Sequence, residues 1–287
     1  MLSTASKVRI ARMFYNALHA VRLPFGGKDE VVVKRGGLVW NLDLREGIDL
    51  TIYLMGAFER DTLRVLESHV HEGDTVLDVG ANVGAHALHL ARLVGGYGRV
   101  IAFEPTDYAV GKLRANLRAN PALESRVEIH QVFLAADEGA ALVPSLASSW
   151  PVDGTPPDDA QMCSRSMSVT GAAARTLDSV MADSGDPAVK LIKMDVDGHE
   201  LEVLAGARSL LARRRPIIVM ELAPYVFHPP EKFDLMVDFL VHADYVFRPV
   251  GSAGAMPTDP LALRRLIPAE GSMNVVAFPK ARDQGAV

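Results

Sequence analysis

Three short apolar runs, at 75–79, 99–103 and 127–132, alternate with stretches whose apolar residues recur every three to four positions. This alternation constrains the fold more than any other feature of the chain. Thr75-Val76-Leu77-Asp78-Val79, Arg99-Val100-Ile101-Ala102-Phe103 and Val127-Glu128-Ile129-His130-Gln131-Val132 have strand length. Between them, residues 84–94 (Leu88, Ala91, Val94) and 107–119 (Val110, Leu113, Leu117) have helical spacing. Connections of that length carry crossover helices, so the strands lie parallel in a doubly wound α/β sheet. The rhythm resumes downstream. A helix near 176–183 leads to a strand at 189–195, a helix at 199–211 and a strand at 216–222. A helix at 230–242 and two closing strands, 245–249 and 274–279, complete the pattern.

Residues upstream of 73 follow a different plan. Val8, Ala11, Phe14, Leu18 and Val21 mark an amphipathic helix over 7–22, with Lys7, Arg9, Arg12 and Arg22 between them. Such a basic helix lies on a membrane surface or packs on its own domain or a second subunit. A hairpin turning at Gly36-Gly37 follows, then a helix over 59–71 with Leu63, Leu66 and Val70 on one face. Residues 144–166 hold four prolines and no periodicity, and read as a long loop inserted in the sheet domain; 252–270 is a second irregular segment. The expected organisation is a helix, hairpin and lid segment over 1–72 and one catalytic sheet domain over 73–287.

Composition excludes several classes. The chain has 287 residues, 49% of them hydrophobic, which is ordinary for a globular protein. Its net charge of −5 argues against a protein that grips nucleic acid through phosphates. A single cysteine, Cys163, makes neither an internal disulfide nor a cysteine-built zinc site. No apolar run approaches the ~20 residues of a transmembrane helix, and the first residues lack a signal-peptide layout. The expectation is a soluble cytoplasmic enzyme with no nucleic-acid partner.

Chemistry concentrates at three places. Asp78-Val79-Gly80-Ala81-Asn82-Val83-Gly84-Ala85-His86 runs from a strand through a glycine turn into a helix, where Gly80 permits the turn and Gly84 permits close approach of a ligand or of neighbouring elements. The spacing departs from G-x-G-x-x-G, which weakens a nicotinamide oxidoreductase reading. Phe103-Glu104-Pro105 ends the next strand, and Glu104 follows Gly84 by 20 residues, the offset of an acid that accepts from ribose hydroxyls. Ile192-Lys193-Met194-Asp195-Val196-Asp197-Gly198-His199-Glu200 ends a third strand in acids; Asp195 projects into the crevice at the strand ends, whereas Asp197 and Glu200 also suit a helix start. His199 abuts the same crevice and is able to titrate near neutrality.

Taken together these stretches resemble the FkbM-type S-adenosylmethionine-dependent methyltransferases. Trp40-Asn41-Leu42-Asp43, Gly56-Ala57-Phe58-Glu59, Thr176-Leu177-Asp178-Ser179 and Val219-Met220-Glu221-Leu222 extend the likeness over residues ~40–222. Asp197 stands where the family more often has Glu. The resemblance implies a mostly parallel seven-stranded class I methyltransferase sheet with its last strand antiparallel, and S-adenosylmethionine as cofactor. Gly80, Asn82 and Gly84 would hold the methionine moiety, Asp78 would buttress the turn, Glu104 would bind the ribose, and Asp137 falls where the adenine edge is read. Glu59 either closes over the cofactor or is a helix-start acid.

The implied reaction is O-methylation of a hydroxyl on a small-molecule acceptor such as a secondary metabolite, a sugar or a lipid-linked glycan. Asp195, His199 and Glu221 are the candidate bases. Paired acids there could instead hold a divalent cation. Methylation of an amide or amine nitrogen, a non-catalytic binding module and a homodimer are the remaining alternatives.

Overall fold

The computed structural model describes residues 3–159 and 163–281. Residues 160–162 of the expected loop and 282–287 of the expected catalytic domain lie outside the described residues. The chain opens with helix α1 (Thr4–Arg22), hairpin strands β1 (Glu30–Arg35) and β2 (Leu38–Asp43), and helices α2 (Gly47–Met55) and α3 (Arg60–His69). The alternating part begins with β3 (Thr75–Val79), α4 (Ala87–Leu93), β4 (Arg99–Phe103), α5 (Asp107–Arg118), α6 (Pro121–Glu124) and β5 (Val127–His130). Short strands β6 (Val132–Leu134), β7 (Ser145–Ser149), β8 (Arg165–Ser168) and β9 (Ala173–Arg175) follow. The rest is α7 (Leu177–Asp183), β10 (Val189–Met194), α8 (Glu200–Ala205), α9 (Arg208–Arg214), β11 (Ile217–Leu222), α10 (Glu231–His242), β12 (Tyr245–Pro249), α11 (Pro260–Leu266) and β13 (Met273–Pro279).

Seven strands form the central sheet in the order β12-β13-β11-β10-β3-β4-β5, with β13 antiparallel to both its neighbours and the other pairs parallel. The mostly parallel sheet with an antiparallel last strand is as expected. Strands such as β3 are apolar and buried on both faces, as parallel strands under helices must be. One face carries α7 to α10 over Leu77, Ile192 and Met220; the other carries α4, α5 and the upstream elements over Val76, Val100 and Leu191.

The segment before residue 73 is built into that second layer. Trp40, fully buried, shares a hydrophobic cluster with Leu88 and Leu113. Buried Asn116 of α5 accepts from Asn41 N–H at 2.8 Å and donates to the Val83 carbonyl at 2.9 Å, while Asn120 accepts from Val39 N–H at 3.0 Å. Asp49 of α2, also fully buried, pairs with Lys112 of α5 and accepts from Asp43 N–H.

Four local expectations change. The strand expected over 127–132 breaks after His130, because Glu104 N–H takes the His130 carbonyl and Pro105 offers no further N–H; β6 then pairs with β9. The helix expected over 199–211 splits at Gly206-Ala207, where the Asp178 carboxylate of α7 accepts from Ser209 and Leu210 N–H at 2.8 and 2.7 Å and caps a new helix. The expected loop 144–166 contains β7, which pairs antiparallel with β8, and the irregular 252–270 contains α11. Helix α2, in a stretch with no clear polar face, was not anticipated.

Candidate active site

The sheet changes winding direction between β10 and β3, the place where open α/β sheets bind ligands beyond their carboxyl ends. The chain's own backbone makes that junction tight. Gly80 has φ +79°, and a Cβ built on it would stand 1.8 Å from the Asp195 carbonyl oxygen, so no side chain fits between the two strand ends. Gly84, at φ +90°, is closed off differently: a Cβ there would meet Leu113 and Leu88 at 2.6 and 2.7 Å. Between them Asn82 adopts φ +47°, a left-handed conformation that Asn tolerates better than most residues.

Glu104 lies against this turn, almost wholly buried. Its Oε2 accepts from Asn82 N–H at 3.0 Å, and its Oε1 accepts from Thr106 N–H at 3.0 Å and from the Thr106 hydroxyl at 2.6 Å. Burial raises its pKa, against those hydrogen bonds. Strand β7 crosses above: the Ser148 hydroxyl stands 3.0 Å from Thr106 Oγ1, and the Ser148 carbonyl accepts from Asn82 Nδ2 at 3.4 Å. The Ser149 hydroxyl donates to Glu46 at 2.6 Å, tying β7 to the upstream segment.

Beside the turn, a pocket is lined by Glu59, Thr62, Lys193, Met194, Asp195, Val219, Met220, Glu221 and Asn274. Lys193 is nearly enclosed, with Nζ 3.5 Å from Asp195 Oδ2 and 3.8 Å from Asp78 Oδ1. Burial opposes its charge, but Asp195, Asp78 and Glu59 outweigh burial and hold its pKa above the ordinary lysine value. Asp78, under the turn, has its own pKa raised by burial, an effect that Lys193 offsets in part.

The other acids are pushed the same way. Burial and then the Asp195 charge raise Glu221 to about 7, although Ser272 donates a hydrogen bond to it. Glu59 is raised by burial and by Asp195; its Oε1 accepts from Asn274 Nδ2 at 3.0 Å. Asp197, at φ +48°, is raised well above the usual range by burial and by Asp195, Glu221 and Glu200. Glu200 accepts from Val196 and Gly198 N–H at 3.4 and 3.1 Å, bracing the turn into α8, and burial raises it to about 8.

The structure thus brings Glu59, Asp195 and Glu221 into one pocket, with Asp78, Gly80, Asn82, Gly84 and Glu104 at the adjoining turn. It does not bring His199 there: that ring packs edge-on against Phe133 at 5.2 Å, beside Glu202 and Lys232, and burial lowers its pKa. Asp137 is exposed in the turn after β6, its carbonyl accepting from Ala140 N–H. Glu59 stands at the N-cap of α3 yet makes no side-chain cap there.

Several participants were not anticipated. A lysine inside the apolar run Leu191-Ile192-Lys193-Met194 is a legible signal of a buried charge partner. His86 is another: its Nε2 lies 3.6 Å from Glu59 Oε2, and burial, then Lys193, keep its pKa well below the usual value. Thr62, Thr106, Ser148 and Asn274 carry no sequence signal of their own. Among the described residues, no three His, Cys, Asp or Glu side chains are arranged to hold a metal ion.

The residues present fit a nucleoside-bearing cation: a buried carboxylate at the tip of the second parallel strand, and a pocket in which acids outnumber the single lysine. A family profile described as the methyltransferase FkbM domain matches residues 78–248, more than half of the chain. A hexuronic acid methyltransferase, AglP of Haloferax volcanii, is 26% identical over 162 residues, 56% of this chain and 61% of that relative's length. Among solved structures, an FkbM methyltransferase from Methylobacillus flagellatus superposes with TM-score 0.45 at 19% identity, over 72% of this chain and 44% of that one. A SAM-dependent O-methyltransferase from Thermotoga maritima gives TM-score 0.44 at 15% identity, over 83% and 72% of the two chains. The chain belongs to the FkbM family of S-adenosylmethionine-dependent methyltransferases.

Proposed function

We propose that this chain methylates a hydroxyl group of a sugar, with Glu221 as the base. The observation that carries the reading is the placement of Glu221 and Asp195 at the ends of neighbouring strands, in a pocket that adjoins the glycine turn and Glu104. The sugar class rests on the hexuronic acid methyltransferase to which the chain is similar.

Bound S-adenosylmethionine supplies an electrophilic methyl group on a sulfonium. The chain supplies its seat and the handling of the acceptor's proton. Gly80 and Asn82 shape the seat, and Glu104 receives the ribose. Three of the roughly four acceptor positions of that carboxylate already hold protein donors. Thr106 is able to release one by turning its hydroxyl toward Ser148, its other neighbour. Asp195, Glu59 and Glu221 set a negative field suited to a cationic donor, and Lys193 keeps their mutual repulsion in check.

An aliphatic hydroxyl is a weak nucleophile, and its proton must leave as the oxygen–carbon bond forms. A carboxylate raised to about 7 is well matched to accept that proton near neutrality. Asp195 shares the pocket and raises the basicity of Glu221 through its charge.

The test is to incubate the chain with S-adenosylmethionine and a panel of hexuronic acids and their glycosides, and to look by mass spectrometry for products heavier by one methylene. Glu221→Gln is expected to lower kcat by ~10²–10⁴ with S-adenosylhomocysteine affinity retained. Because the base works when deprotonated, wild-type kcat should rise with pH and level off above about 7. Transfer to amines but not to hydroxyls would contradict the assignment, as would an unchanged Glu221→Gln rate.

A further inference from the structure

Helix α1 has two apolar faces, where packing on its own domain requires one. Val8, Ala11, Tyr15 and Leu18 lie against the core cluster that holds Trp40 and Leu44. Ile10, Met13, Phe14 and Val21 also recur at helical spacing, but along a different side of the helix, and they are exposed: Met13 67%, Phe14 57% and Val21 67%. The exposed stripe runs on into the turn Leu23–Phe25, where Phe25 is 87% exposed. Contiguous exposed apolar residues of this kind mark an interaction surface.

Charge points to the partner. Residues 1–28 contain Lys7, Arg9, Arg12, Arg22 and Lys28 and no Asp or Glu, in a chain whose net charge is −5. Lys7, Arg9 and Lys28 are exposed. A two-fold contact would set this wholly basic segment against its own copy, because the same patch appears on both subunits. An anionic surface meets both requirements at once, taking the apolar side chains among acyl chains and the cations at phosphates. No helix among the described residues is long and apolar enough to cross a membrane, so α1 would lie in the interfacial plane.

The same helix is linked to the pocket through Ser272. The Thr4 hydroxyl is 2.7 Å from Tyr225 Oη, and Lys7 Nζ is 3.5 Å from the hydroxyl of Ser272, which hydrogen-bonds Glu221. The exposed stripe and the pocket rim are therefore joined by one rigid element.

We propose that α1 and the turn after it dock this chain on an anionic phospholipid bilayer, with Phe14, Val21 and Phe25 inserted and Arg9 and Lys28 at the headgroups. The full chain is sedimented with vesicles of phosphatidylglycerol and phosphatidylcholine in equal parts, and with phosphatidylcholine alone. Binding to the mixed vesicles is expected to be at least about tenfold tighter than to phosphatidylcholine, and to weaken severalfold as salt rises from ~0.1 to ~0.5 M. Phe14→Ser with Val21→Ser should weaken it at least about tenfold. Both positions are exposed, so the melting temperature should stay unchanged. Three results would overturn the proposal: no sedimentation with the mixed vesicles, equal binding by the double variant, or a wild-type dimer that the double variant dissolves while neither protein binds vesicles.

Discussion

Lys193 decides whether the pocket's carboxylates coexist. It is the cation shared by Asp78 and Asp195 at 3.8 and 3.5 Å, and its side chain is 5% exposed. Removing one partner of a buried ion pair leaves the other charge uncompensated, at a cost of roughly 3–5 kcal/mol. Lys193→Met should therefore lower the melting temperature by many degrees in a thermal scan. A variant melting with the wild type would show that the acids do not depend on this lysine. Asp195, Glu104 and Glu221 were legible in the sequence as acids at the ends of apolar strands, whereas Glu59 came only with the family resemblance and suited a helix start equally well. His199 misled for a local reason: left-handed Asp197 and Gly198 turn the chain just before α8, and the ring leaves the crevice for Phe133. The Asp197-Gly198 pair marks a turn in the sequence but not the direction of the ring that follows it.

Element by element, the hairpin and α2 are held on α5 by buried side-chain amides and an ion pair as well as by apolar contact. Asn116 is fully buried, and Asn116→Ala would strand Asn41 N–H and the Val83 carbonyl. An unsatisfied buried polar group costs about 1–3 kcal/mol, so the variant should melt several degrees lower. Val83 belongs to the glycine turn, so S-adenosylhomocysteine affinity should fall as well; unchanged affinity would mean the turn holds its shape without Asn116. The long strands and helices were readable because burial on both faces makes the parallel strands continuous apolar runs, and burial on one face gives the helices a period of 3.6. Strands β7 and β8 were not. Ser145–Ser149 and Arg165–Ser168 have no alternating apolar face, and their order comes from contacts made far away in sequence, at Glu46, Asn82 and Thr106.

Across the whole molecule, the acid cluster links stability to pH. Glu200 and Glu221 are raised to about 8 and about 7, above the ordinary glutamate value of 4.5. A carboxyl whose folded pKa is raised binds more protons folded than unfolded, so stability falls as pH rises through the interval. Its contribution is fully present below about 4.5 and lost by about 8. The melting temperature of the ligand-free chain should accordingly decline between pH 5 and 8 by this contribution, and Glu200→Gln should flatten the decline. A variant with the wild-type slope would place the proton uptake elsewhere. The fold follows from the strand–helix alternation, and the pocket from the acids at its strand ends. The upstream helix, hairpin and lid segment shares a hydrophobic cluster with α4 and α5.

The glycine turn and Glu104 are proposed to seat a nucleoside cofactor. Titration calorimetry of S-adenosylhomocysteine into the wild-type chain and Glu104→Gln tests it most directly. A hydrogen bond to a charged acceptor contributes about 1.5–3 kcal/mol, so the wild type should bind and the variant should bind about ten- to a hundredfold more weakly. Equal affinities, or a wild-type chain that does not bind at all, would contradict the account.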